Sequence, residues 1–395
     1  MSLPPLILRK NEDRRLRAGH LWVFSNEVDI ARTPLKTFAP GDAVEIHSHN
    51  GRFIGSGYVN PNSLISARIL SRDPERPPDR ALLVHRLDIA LSLRKRLYDK
   101  PFYRLVFGEA DGLPGLVVDR YAGVLVVQIT TAGMERMKAD IVTALAGVIK
   151  PVGIFFRNDV AIRELEGLPL YTETAHGTVP DTVMIEEHGC RFEVPLSGGQ
   201  KTGWFFDQHD NRGRMLRYIS GKRVLDVFSY AGAWGIEALA HGAREALCVD
   251  SSAAALTHAM HNAGLNHVTV AAREADAFDA LRELRESGEK FDVVILDPPA
   301  FVKRKKDLAA GRNAYQRLNQ SALQLLERDG LLISCSCSHH LQAADLLQVI
   351  QAGARHLERE AQLLETGGQA ADHPVHPAIA ETAYLKAFYL RAVAL

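Results

Sequence analysis

Leu225-Asp226-Val227-Phe228-Ser229-Tyr230-Ala231-Gly232-Ala233-Trp234-Gly235 is the stretch whose reading decides the fold. An apolar run stops near Phe228, and Gly232 and Gly235 then permit a tight turn and close backbone approach before a helix begins. Alone the pattern is weak, and its weight comes from the sequence around it. Beyond Gly221, short apolar runs alternate with helical stretches. Strands are predicted at Val224–Phe228, Ala246–Val249, Val268–Ala271, Val293–Leu296 and Leu331–Cys335, with helices near Ile236, Ala254, Phe278 and Leu323. Such alternation predicts an α/β domain, a doubly wound, Rossmann-like parallel sheet with helices on both faces.

In that architecture ligands collect at the carboxyl ends of the strands. The candidate cofactor residues therefore stand where the runs stop: Asp226, Phe228 and Gly232 after the first, Asp250 after the second, Asp276 after the third and Asp297 after the fourth. Asp250 follows Gly232 by about 18 residues, near the spacing at which a carboxylate meets a ribose diol. Asp276 is placed to bind an adenine exocyclic amine. A nicotinamide dinucleotide site would look similar, but there is no full Gly-x-Gly-x-x-Gly and no evident pyrophosphate cradle, so S-adenosylmethionine fits better. Taken singly, each acid suits a solvated turn equally well; their joint placement carries the reading.

The fourth run ends Asp297-Pro298-Pro299-Ala300-Phe301. Two prolines stiffen the loop and aim Asp297 at the sheet edge, which suits a planar, amine-bearing base, with Phe301 available to stack on it. Phe301 as a core residue is the plainer alternative. In the related pattern used for exocyclic amine methylation the aromatic directly follows Pro-Pro, whereas here Ala300 intervenes, so another nucleophile is needed. The fifth run, Leu331-Leu332-Ile333-Ser334-Cys335-Ser336-Cys337-Ser338-His339-His340, supplies thiols at the same edge. Pyrimidine C5 becomes nucleophilic once a thiolate adds at C6. Cys337, nearer the edge, is the candidate nucleophile and Cys335 a packed core thiol, with Lys303 or His339 as cations to lower the thiol pKa. Two buried structural cysteines, or a zinc site with His339 and His340, are the competing readings; the zinc site lacks a second cysteine pair.

The chain has 395 residues, 46% of them hydrophobic and 24% charged, which predicts several folded domains rather than disorder. A β-rich domain over residues 1–75, an α+β domain over 76–194 and the catalytic domain over 195–395 are expected, with the charged, proline-rich Asp73–Asp79 as a linker and a helix from Ala81 to Tyr98. Forty-seven basic residues balance 47 acidic ones, so any RNA contact must come from local clusters. Arg9, Lys10, Arg14, Arg15 and Arg17 form one and Lys303 to Lys306 another; solvated faces are the bland reading. With no signal-type segment, no apolar span and four cysteines, a cytoplasmic protein with reduced thiols is expected.

Further motifs are Gly19-His20-Leu21-Trp22-Val23-Phe24, Asp111-Gly112-Leu113-Pro114-Gly115-Leu116, Glu186-Glu187-His188-Gly189 and Lys201-Thr202-Gly203-Trp204-Phe205-Phe206-Asp207-Gln208. With these, the chain resembles, over essentially its whole length, the bacterial 23S ribosomal RNA large subunit methyltransferase I family. The resemblance implies an N-terminal PUA RNA-binding domain, a central domain named for Glu-Glu-His-Gly and a class I methyltransferase domain using S-adenosylmethionine on cytosine C5. The family's Ser-Cys-Ser cysteine falls on Cys337 and its Asp-Pro-Pro-x-Phe on Asp297 to Phe301, while Lys201 to Gln208 would close over the cofactor or acceptor. Ala300 and His339 depart from the family's common lysine and glycine. The implied catalytic residues are Cys337 and Asp297, and the substrate contacts are Pro298, Phe301, Lys303, Arg14, Arg15 and Lys201. The expected partner is 23S ribosomal RNA, no membrane is involved, and a homodimer is left open. Guanine N7 methylation on the same scaffold and a non-catalytic RNA-binding or ribosome-assembly protein are the rival readings.

Overall fold

The computed structural model describes residues 3–197 and 202–394, and the chain forms two compact units. The first takes in the chain up to Val183, together with Val194–Phe206 and Asp372–Thr382. It opens on a five-stranded sheet in the spatial order Pro5–Ile7, Asp42–His47, Phe53–Val59, Ile65–Ser71, Trp22–Phe24. Alternation decides the face each residue takes: in Ala43-Val44-Glu45-Ile46, Val44 and Ile46 are buried while their neighbours stay partly exposed. Residues 72–79 form no regular structure, and Asp79 ends the segment by accepting the Leu82 amide at 2.9 Å, capping the helix Arg80–Leu97.

A second five-stranded sheet follows, ordered Tyr171–Gly177, Gly153–Asn158, Val124–Ile129, Leu116–Tyr121, Phe102–Phe107. Leu83 and Leu87 of the helix Arg80–Leu97 and Leu145 of the helix Lys138–Ile149 share its core with Leu105, Val118, Val127 and Phe156. Asp372 joins this unit through buried polar contacts. Its carbonyl accepts from Arg94 at 2.6 Å and its carboxylate from the Arg104 amide at 2.7 Å, while Arg94 also pairs with Asp111 at 2.5 Å.

The second unit comprises Met184–Glu193, Asp207–Ala371 and the chain from Ala383 onward. Its sheet has seven strands: β1 (Arg223–Val227), β2 (Glu245–Asp250), β3 (Ala271–Glu274), β4 (Phe291–Leu296), β5 (Leu326–Ser336), β6 (Arg359–Gly368) and β7 (Lys386–Ala394). They lie in the order β3-β2-β1-β4-β5-β7-β6, the first five parallel and β7 antiparallel to both its neighbours. The fold is the expected Rossmann-like α/β architecture. Central strands are buried on both faces: Leu225, Val227 and Val294 enter one core, and Val224, Val293 and Ile295 the other. The third strand differs from its prediction. It begins at Ala271: Val268 and Val270 lead into a short edge strand whose own residues are largely exposed. Strands β6 and β7 have no counterpart among the predicted elements. Among the described residues, no helix is long and apolar enough to cross a membrane.

Candidate active site

After β1 the backbone enters the left-handed region at Phe228 (φ 67°), Tyr230 (φ 47°) and Gly232 (φ 79°). For the two aromatic residues this costs on the order of 1 kcal/mol each, so the loop must be held from outside. The end of β2 holds it. The Val249 carbonyl accepts the Phe228 and Ser229 amides at 2.9 and 3.0 Å, and Asp250 accepts the Tyr230 amide at 2.9 Å. The other Asp250 oxygen takes the Ser252 amide, also at 2.9 Å. A β-carbon at Gly232 would lie 2.8 Å from that of Ala259, and one at Gly235 would lie 2.8 Å from the Cys248 sulfur. Only glycine fits at either place.

Asp226 lies beneath this loop, fully enclosed. One oxygen accepts the Gly235 amide at 3.1 Å, and the other has no hydrogen-bond partner among the described residues. Burial, reinforced by the negative charges of Asp297 and Asp250, pushes its carboxyl up to about 7. Asp276 caps the helix Ala277–Glu286, accepting the Phe278 amide at 2.8 Å and the Asp279 amide at 3.4 Å through one oxygen. Beside the loop, Phe301 packs among Phe228, Phe278 and Tyr315, with ring centroids 6.5, 6.4 and 4.9 Å away. A turn whose Gly232 and Gly235 admit no side chain, backed by an enclosed carboxylate and flanked by partly buried aromatic rings, fits an adenosyl group.

At the end of β4, the Asp297 carboxylate accepts Gln208 Nε2 at 2.8 Å through one oxygen and Trp234 Nε1 at 3.3 Å through the other. Its amide donates to the Val227 carbonyl at 3.3 Å, so the acid is anchored to the end of β1. Cys337 stands just beyond β5, partly exposed, its sulfur 3.9 Å from the buried Pro298's carbonyl. A hydroxyl chain fixes this turn. Ser336 Oγ donates to the Tyr315 hydroxyl at 2.9 Å, that hydroxyl lies 3.0 Å from Ser338 Oγ, and Ser338 Oγ accepts the Val302 amide at 3.1 Å. The Ser-Cys-Ser turn and the Asp-Pro-Pro loop are thereby tied together. Cys335 is fully buried, and burial pushes its thiol well above the ordinary range, which makes it inert.

One residue at this edge had no signal in the sequence. Lys386, at the start of β7, donates to the Ser338 carbonyl at 2.6 Å; burial pulls its ammonium down to about 8, and the Cys337 sulfur opposes that fall. Lys303, by contrast, sits on an exposed stretch, where the adjacent Arg304 pairs with Asp307 at 3.0 Å. In the Glu-Glu-His-Gly segment, Glu186 and Glu187 end the strand Thr182–Glu187 and His188 and Gly189 turn into Cys190–Pro195; Glu187 forms an ion pair with buried Arg212. Burial alone would raise the Glu187 carboxyl, but Arg212 holds it down at about 2. Glu237, 3.5 Å from Arg212, is raised by burial and by Glu187; its other oxygen lies 2.9 Å from His188, whose imidazole burial pulls down to about 4.

The structure thus gathers Phe228, Gly232, Asp250, Asp297, Pro298, Phe301 and Cys337 at one carboxyl edge. Arg14 and Arg15 belong to the first unit. Arg14 is exposed, whereas Arg15 is committed to Glu27 at 2.8 Å and to the Trp22 carbonyl at 3.0 Å. Lys201 lies outside the described residues.

Comparison with known proteins agrees with this geometry. A PUA-like domain profile matches residues 6–72, and an S-adenosylmethionine-dependent methyltransferase profile matches residues 153–391. The ribosomal RNA large subunit methyltransferase I of Cronobacter sakazakii is 40% identical over 391 residues, covering 97% of this chain and 98% of that protein. The chain belongs to the ribosomal RNA large subunit methyltransferase I family. The Salmonella arizonae member is 39% identical over 400 residues, covering 99% of this chain and 98% of its own. Among solved structures, a candidate S-adenosylmethionine-dependent methyltransferase from Streptococcus mutans shares the fold at TM-score 0.82 and 20% identity, over 98% of this chain and 100% of that one. SMU.776, a candidate methyltransferase solved with SAH, does so at TM-score 0.84 and 21% identity, with the same coverage. As a member of this family the chain is an S-adenosylmethionine-dependent methyltransferase.

Proposed function

We propose that this enzyme methylates C5 of a cytosine in 23S ribosomal RNA, with Cys337 as the nucleophile that adds to C6. The observation that carries the reading is the contrast between two thiols at one strand end: Cys335 is enclosed, whereas Cys337 is partly exposed beside Pro298, the residue after Asp297. S-adenosylmethionine, when bound, supplies the electrophilic methyl group. The chain's own residues do the rest. The target base is splayed from its stack into the pocket, and the Cys337 thiolate forms a bond to C6 that turns C5 into an enamine carbon able to take a methyl group. A base or water then takes the C5 proton, its bonding pair re-forms the C5–C6 double bond, and the C6–S bond breaks with its electron pair returning to sulfur.

Asp297, held by Gln208 and Trp234 at the end of β4, is the acceptor for the cytosine exocyclic amine, which uracil lacks. Phe228, Gly232 and Asp250 hold the cofactor, with Asp226 bracing the loop from below and Asp276, whose capping bonds use one oxygen, offering the other to the adenine. Pro298 and Phe301 shape the base pocket, while Arg14 and Lys303 meet phosphates. The PUA-like domain grips the RNA.

The test is nucleoside mass spectrometry of 23S RNA taken from cells lacking the enzyme, after incubation with the purified protein and labelled S-adenosylmethionine. Label is expected in 5-methylcytidine and is expected to vanish with Cys337→Ala. Label in 7-methylguanosine that survives Cys337→Ala would remove the nucleophile from the mechanism.

A further inference from the structure

We infer that Lys386 holds Cys337 in its thiolate form and so sets the pH range over which the nucleophile is armed; the inference rests on the reading of Cys337 as the attacking group. A thiol attacks only as its anion, and a cation fixed nearby is one way to populate it at neutral pH. The sequence offers Lys303 and His339 for that task, but Lys303 is exposed and the His339 ring packs edge-on against His340 at 5.2 Å. Lys386 is placed by the sheet itself. In the antiparallel ladder it lies opposite Ser336, one residue before Cys337, and its ammonium is fixed to the carbonyl of Ser338, one residue after. Among the described residues no carboxylate pairs with it, and the Cys337 sulfur is the one charge that acts on it.

Among the described residues, Lys386, Tyr315 and Cys335 interact with the sulfur. Lys386 approaches from β7, the Tyr315 hydroxyl from the helix Leu308–Leu325, and the inert Cys335 thiol from the same strand. Burial brings the Lys386 pKa near enough to that of a thiol for the proton to be exchanged between them. In that exchange the S–H bond breaks, the proton joins the amine of Lys386, and an ammonium–thiolate pair results with no change in net charge. When the C6–S bond later breaks, the returning thiolate meets the same ammonium. Lys386 touches neither substrate nor cofactor in this scheme; it is a positioning residue acting through Cys337.

The experiment is alkylation of the intact enzyme by iodoacetamide across pH, with modification at Cys337 followed by peptide mass spectrometry. Cys190, Cys248 and Cys335 are buried and do not compete in the native protein. The wild-type midpoint is expected below that of an ordinary thiol, about 8.5. Lys386→Met is expected to raise it by about one unit or more, roughly a tenfold loss of thiolate at neutral pH, and Lys386→Arg to restore most of the shift. An unchanged midpoint in a Lys386→Met protein that still binds S-adenosylhomocysteine overturns the inference. Should Lys386→Met not fold, a wild-type midpoint at or above the ordinary value overturns it, and a depressed midpoint kept by Lys386→Arg supports it. Because alkylation does not depend on turnover, a shifted midpoint without any 5-methylcytidine product would sink the cytosine reading and leave the Lys386–Cys337 pair standing.

Discussion

Asp226 is an acid that the fold holds where its charge is unwelcome. Its carboxyl is raised from an ordinary 3.8 to about 7, so between those values the native protein keeps a proton that the unfolded chain has already released. Stability from this group is therefore fully present at low pH and is lost as pH rises through the native value, by an amount on the order of 4 kcal/mol for a shift of this size. Asp226→Asn retains an oxygen for the Gly235 amide and cannot ionise. In urea unfolding the variant is expected to gain on the wild type from about pH 4 to about pH 7 and to hold that gain at higher pH. Parallel stability curves over that range would show that the carboxylate is solvated rather than enclosed beneath the loop.

At the scale of single elements, the helix that Asp276 opens separates two roles for one residue. Its capping oxygen serves the Phe278 and Asp279 amides, and losing such a cap costs about 1 kcal/mol. Asp276→Ala should therefore lower stability by about that amount, and Asp276→Ser, which can cap equally well, should restore it. Affinity for S-adenosylhomocysteine, measured by calorimetry, is expected to fall in both variants, since serine cannot replace the second carboxylate oxygen. Full affinity in Asp276→Ser would reduce Asp276 to a cap.

The same scale shows what the sequence could disclose. The β1 loop was legible because glycine is forced wherever a β-carbon would strike Ala259 or Cys248, and the Cys335/Cys337 contrast because position along a strand predicts depth. Strands β6 and β7 were not legible, since they follow each other antiparallel without the strand–helix rhythm that marked the first five. Lys386 went with them: only the pairing of β7 with β5 brings it to Cys337. Arg94 and Asp372, 278 residues apart, meet through a buried contact that no local pattern announces.

For the molecule as a whole, the decisive feature is that neither compact unit is one continuous stretch. The second unit borrows Met184–Glu193 from ahead of its main segment, and that piece carries Glu187 and His188. Arg212 is 2% exposed and Glu237 is fully buried, so the ion pair with Glu187 is closed off from water. Removing one partner of such a pair costs about 3–5 kcal/mol, a large share of the 5–15 kcal/mol by which a domain is typically stable. A fragment spanning 207–395 keeps every strand of the seven-stranded sheet yet loses Glu187, leaving Arg212 to face Glu237 alone. It is expected to melt without a cooperative transition by circular dichroism and to bind S-adenosylhomocysteine weakly or not at all. A fragment spanning 184–395 restores the Glu187 ion pair and is expected to recover both properties. Cooperative melting and full affinity in the shorter fragment would mean that the Glu-Glu-His-Gly turn is dispensable to the catalytic fold, and would shift its purpose from holding Arg212 to something done at its exposed surface.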